Sequence, residues 1–159
     1  MTREELIQFV DSELDGTLTF VASEENGAPE VAWGDTFFFY DPDRTTDPEK
    51  RLPYATIVIN DYPGFDEASN LSRDGVYRVN VWVSRETFER GVSGAGDSNV
   101  DYAVLDRVIP HPVYGKQSWL SVLNPGTATQ DIVKDLLAEA HARAKARYEK
   151  RVSKRSDSD

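Results

Sequence analysis

The chain has 159 residues, 39% of them hydrophobic, 29% charged and 11% aromatic, which is one domain's length with enough large apolar side chains to bury a core and too many to stay disordered. The net charge of −10 is uneven: residues 1–133 carry 10 Lys/Arg against 23 Asp/Glu, whereas residues 134–155 carry 8 against 3. Cysteine is absent, which excludes disulfides, thiolate nucleophiles and Cys-bound metals, and the acidic body repels phosphate, which argues against nucleic acid as the main partner.

Thr2-Arg3-Glu4-Glu5 has the form of a capping box, and Leu6, Ile7, Phe9, Val10 and Leu14 follow as an apolar stripe at helical spacing. The helix is expected to stop near Asp15-Gly16. The charged, amphipathic start lacks a signal peptide's apolar core, and no apolar run reaches the length of a membrane helix. Together with the missing cysteine, these features give the cytoplasm as the expected location and no membrane as partner.

Leu18 to Val21 reads as a short strand, and Asn26-Gly27 as a hairpin-type turn. Val31 to Tyr40 reads as a strand and Asp41 to Arg51 as a polar loop. Ala55 to Asn60 has a β-branched core, and Val76 to Val83 is the clearest strand of the chain. Ser84 is placed to cap a short helix over Arg85 to Arg90. Gly91 to Asn99 reads as a flexible loop, and its Gly91-x-x-Gly-x-Gly96 spacing lacks the strand and helix of a phosphate-binding motif. Tyr102 to Ile109 reads as a short helix, Pro110 to Gly115 as a rigid turn, and Ser118 to Leu123 as a strand.

Thr127-Ala-Thr-Gln130 reads as a second capping box. It opens a long helix with Ile132, Val133, Leu136, Leu137, Ala140, Ala144 and Tyr148 on one face. Past Tyr148 the chain is charged and is expected to fray. Strands run together without alternating long helices, so the expected fold is α+β. It has two layers: a mainly antiparallel sheet of about five strands, with the N-terminal and long C-terminal helices on one face. A single domain is expected over residues 1–150, followed by a charged, disordered tail over 151–159.

Four stretches carry a family resemblance: Trp33-Gly-Asp-Thr-Phe-Phe-Phe-Tyr-Asp-Pro42; Pro53-Tyr-Ala-Thr-Ile-Val58; Ser69-Asn-Leu71 with Gly75-Val-Tyr-Arg-Val-Asn-Val-Trp-Val83; and Asp101 through Pro125. The last contains Pro110-His-Pro-Val-Tyr-Gly115 just before a Trp-bearing strand. Together they resemble the bacterial family of unknown function DUF6194, over nearly the whole chain. That resemblance brings no catalytic residue with it. The layout is also faintly similar to MmcQ/YjbR-like small α+β domains, some of which are described as DNA-binding.

The alternation of Val76 to Val83 puts Tyr77, Val79, Val81 and Val83 on one face and Arg78, Asn80 and Trp82 on the other. The valines are expected to meet the helices. A guanidinium, an amide and an indole in one row suit a small anionic or polar ligand or a protein partner. The plainer reading is a half-exposed face with Arg78 paired to a carboxylate such as Asp35. Trp33, Asp35, Phe37 and Phe39 share a face of the expected preceding strand. Burial of Asp35 among these rings would raise its pKa and suit it to general-base work, unless Arg78 or backbone N–H groups satisfy it.

His111 between two prolines, with Tyr114 and Trp119 nearby, suits acid–base chemistry or anion binding, and a structural turn is the competing reading. His141 reads as exposed on the long helix, and no paired-histidine spacing indicates a metal or cofactor. The leading expectation is therefore a non-catalytic binding domain using Arg78, Asn80 and Trp82 with the His111–Tyr114 turn and Trp119. An enzyme using Asp35 and His111 is the alternative, and nucleic-acid binding through the basic end of the last helix is a third.

Overall fold

The computed structural model describes residues 1–93 and 99–157. The first capping box forms: Thr2 Oγ1 accepts from the Glu5 N–H at 3.1 Å, and the Glu5 carboxylate accepts from the Thr2 N–H at 3.2 Å. These bonds satisfy amide groups that a helix start leaves orphaned, and α1 runs over Arg3–Glu13. Strands β1 (Thr17–Val21), β2 (Thr36–Tyr40), β3 (Ala55–Val58) and β4 (Arg78–Trp82) follow. Next come α2 (Arg85–Val92), β5 (Val108–Pro110), β6 (Trp119–Leu123) and α3 (Gln130–Asp157). Ser84 caps α2 by accepting from the Thr87 N–H at 3.1 Å.

The strands form one six-stranded sheet in the order β1-β2-β3-β4-β6-β5, and every pairing between neighbours is antiparallel. The fold is thus α+β, with one strand more than expected. Register turns the sequence alternation into cross-strand rows. Phe38, Ala55, Val81 and Leu120 make one row and Ile57, Val79 and Val122 another, all facing the helices. Leu6 and Val10 of α1 and Val133, Leu137, Ala140 and Ala144 of α3 close over them as one core. The opposite face carries the row Phe37, Thr56, Asn80, Ser121. A smaller apolar cluster of Val58, Leu71, Ile109 and Leu123 covers part of that face.

Several expectations need correction. The strand over Val31 to Tyr40 begins only at Thr36. Glu30–Ala32 form a 3-10 turn, and Gly34 has φ 91°, where an added Cβ would lie 2.5 Å from Ile59 Cδ1. That left-handed glycine breaks the alternation, so Trp33 and Asp35 do not share a strand face with Phe37. The segment Tyr102 to Ile109 is not a helix. Leu105 bridges to Leu123, Asp106 has φ 56°, and Val108 opens β5.

The second capping box is replaced by a side chain from elsewhere. The Asp106 carboxylate accepts from the backbone N–H groups of Gly126, Ala128 and Thr129 and from the Thr129 hydroxyl. These donors hold its pKa below the usual carboxylate value, the Thr129 hydroxyl first. The chain past Tyr148 does not fray at once, because α3 continues to Asp157. Helix α2 reaches Val92, beyond the expected Arg90. Residues 94–98 of the expected glycine loop, and residues 158–159, lie outside the described residues.

Candidate functional site

Arg78 projects from β4 on the face away from the helices and is wholly buried. Its partner is Asp66, from the irregular segment between β3 and β4, and not Asp35 as expected. The pair is bidentate: Nη1 meets Oδ1 at 3.0 Å and Nη2 meets Oδ2 at 2.6 Å. Nη1 also donates to Ser69 Oγ at 2.9 Å, and Nε donates to Asn80 Oδ1 at 2.8 Å. Asn80 continues the network by donating to Thr56 Oγ1 and accepting from Ser121 Oγ. A polar row therefore crosses three strands at the floor of this face.

Above that floor the covering loops leave a cavity of about 410 Å³. Its floor includes Thr56, Val58, Arg78 and Asn80. Its walls are largely ring systems: Phe37, Pro53, Tyr62, Phe65, Tyr114 and Trp119. His111 also lines it, on the Pro110–Gly115 turn. The turn is anchored by the His111 N–H donating to Trp119 O at 3.0 Å, and the His111 and Tyr114 ring centroids lie 4.9 Å apart.

The tautomer of His111 follows from its bonds. Nδ1 accepts from the backbone N–H groups of Val113 and Tyr114, both at 3.0 Å. A ring nitrogen that accepts cannot carry a proton, so the proton sits on Nε2 and the ring is neutral. Burial, reinforced by the Arg78 charge, lowers the His111 pKa to about 3. Near neutral pH His111 is therefore a hydrogen-bond donor through Nε2.

Asp35 is wholly buried, but in a different place. Its Oδ1 accepts from the Ile59 N–H at 2.7 Å and from Asn60 Nδ2 at 3.1 Å, and its Oδ2 accepts from Tyr62 OH at 2.6 Å. Desolvation raises its pKa against the pull of these bonds. The Tyr62 ring faces the cavity while its hydroxyl points back to Asp35, which is absent from the cavity lining. Burial and Asp35 push the Tyr62 pKa upward, so Tyr62 stays protonated.

Trp33 is also outside the cavity, with its indole N–H donating to Ala28 O at 2.9 Å. Trp82 leaves the expected row. Its ring lies under the guanidinium groups of Arg143 and Arg147 on α3, 3.8 and 4.7 Å from its centroid. Arg78, Asn80, His111, Tyr114 and Trp119 thus converge, whereas Trp33, Asp35 and Trp82 do not line the cavity. His141 is buried, not exposed. Its Nε2 contacts Asp15 O at 2.6 Å, and its ring packs on Tyr40 and Tyr54.

Sequence reasoning missed Asp66, Ser69, Tyr62 and Phe65, which sit in a segment with no periodic signal. Among the described residues, no three His, Asp or Glu side chains gather closely enough to hold a metal ion. Among them also, no helix is long and apolar enough to cross a membrane. No curated protein and no solved structure matches the chain, and the fainter likeness to MmcQ/YjbR-like domains is not supported. A family model does match, over residues 1–153, a span that holds every element from α1 through most of α3 and the whole cavity, and the chain belongs to DUF6194, a family of unknown function.

Proposed function

We propose that this domain binds a small, largely apolar molecule on the sheet face opposite the helices, without transforming it. The observation that carries this reading is the cavity itself: about 410 Å³ walled mainly by rings over a polar floor. Its size falls in the range of roughly 300–1,000 Å³ typical of small-molecule sites, with an apolar wall and few polar groups. The floor is held by hydrogen bonds to neighbouring strands, so its polar atoms keep their places in the absence of a guest.

The acid–base alternative requires Asp35 and His111 in one pocket. His111 faces the cavity with its acceptor nitrogen already occupied, and Asp35 stands behind Tyr62. Binding without chemistry fits those positions better. A library of small aromatic and alicyclic compounds, screened by backbone NMR and thermal unfolding, tests the reading. Compounds that bind are expected to move the resonances of Thr56, Asn80 and Trp119 and to raise Tm by mass action. Binders that move only residues elsewhere, or a library without any binder, would sink the proposal.

A further inference from the structure

Two donors in this cavity have no acceptor among the described residues. The Arg78 guanidinium offers five N–H groups. Four are taken by Asn80, Ser69 and the two oxygens of Asp66. The fifth, on Nη2, faces His111 Nε2 across 3.5 Å. Because Nδ1 of His111 is an acceptor for two backbone N–H groups, Nε2 carries the ring proton. Nitrogen therefore meets nitrogen with a hydrogen on each and no lone pair to receive either. A buried donor left without a partner is destabilising, and an acceptor brought to it is correspondingly favoured. His111 is 6% exposed and lines the cavity, so its N–H is within reach of a guest, and Arg78 lines the same cavity with its Nη2 3.5 Å from His111 Nε2.

We propose that the guest is an uncharged carbonyl compound with a flat, apolar body, whose carbonyl oxygen accepts from His111 Nε2 and faces the free Arg78 N–H. This inference rests on the binding reading above and names the chemical class for the same cavity. One sp² oxygen has two lone pairs and serves two neighbouring donors. The flat body matches walls built from Phe37, Phe65, Tyr114 and Trp119. Charge balance selects an uncharged guest. The Arg78 cation is already neutralised by the bidentate Asp66 carboxylate, so a carboxylate guest would bring an uncompensated negative charge into an apolar cavity. An amine would present a further donor to two donors.

Four phenyl probes of similar size separate these features: acetophenone, α-methylstyrene, benzoate and benzylamine. Acetophenone is expected to bind about tenfold more tightly than α-methylstyrene, the fold-change of one neutral hydrogen bond. Benzoate and benzylamine are expected to bind more weakly than acetophenone. In the same titrations the ¹⁵N and ¹H resonances of the His111 Nε2–H group should move with acetophenone and not with α-methylstyrene. His111→Asn keeps an oxygen near the position of Nδ1 for the Val113 and Tyr114 N–H groups and removes the Nε2 donor. It should bring the two affinities together, and the ring resonances of the unaltered protein give an independent reading if the variant folds poorly. Equal affinity for acetophenone and α-methylstyrene, with an unmoved His111 ring, overturns the carbonyl assignment and leaves the cavity as a binding site. Tighter binding of benzoate overturns the uncharged class. If no probe moves any cavity resonance, the binding reading fails together with this one.

Discussion

The two faces of the sheet use one pleat for opposite ends. On the helix side, Phe38, Ile57, Val79, Val81 and Leu120 are at most 2% exposed and meet the apolar stripes of α1 and α3. On the other side the same strands bury Arg78, Asn80 and Ser121, and the loops above them stop short of filling the space. Dense apolar packing stabilises a fold directly. Buried charge does so weakly or not at all, because desolvation offsets the attraction of the pair. The contrast supports the proposed division, stability on one face and recognition on the other, since departures from apolar packing gather where a site is maintained.

Separating the members of the buried pair is the severest test of this division. Asp66→Ala leaves the Arg78 charge in place without its carboxylate and is expected to cost about 3–5 kcal/mol in chemical denaturation. Replacing Arg78 and Asp66 together with apolar residues should cost clearly less, because no unpaired charge remains. On the helix face, Leu137→Ala should cost about 2–5 kcal/mol through lost burial and a residual cavity, with no effect on binding at the other face.

A gentler probe is pH. The folded state holds His111 neutral down to about pH 3, whereas the unfolded chain binds that proton near 6.5. Stability should therefore fall as pH drops from 6.5 toward 3, by up to about 1.4 kcal/mol per unit from this group. Asp35 acts in the opposite sense, its raised folded pKa adding stability below 3.8 that is lost as pH rises through the folded value. His111→Asn should flatten the His111 slope in urea midpoints measured across the window. The smallest stability change is expected at the rim. Phe65 is 57% exposed, and Phe65→Ala should shift stability by no more than about 0.5 kcal/mol while weakening acetophenone binding. A stability loss as large as that of Leu137→Ala would blur the two roles.

Much of the helix face was legible in the sequence. The Thr2 and Ser84 caps carry local signals, and the alternation of Val79 and Val81 with Arg78 and Asn80 gives their faces directly. The cavity was less legible, because its partners meet through long-range contacts. Asp66 reaches Arg78 from a loop without periodicity, and Asp106 caps α3 from 20 or more residues away. Trp82 escaped because alternation assigns a face to a strand but says nothing of α3 running past its end with Arg143. His141 could have been found: with Leu137 and Ala144 it keeps the helical spacing of the apolar stripe, and burial follows from that phase.

The most direct test of the hollow face as a recognition surface is a crystallographic soak with acetophenone at saturating concentration. The account predicts density for one molecule between Phe37, Phe65 and Trp119, with its oxygen at hydrogen-bonding distance from His111 Nε2. An empty cavity in well-ordered crystals, or acetophenone found only at other surfaces, would contradict it.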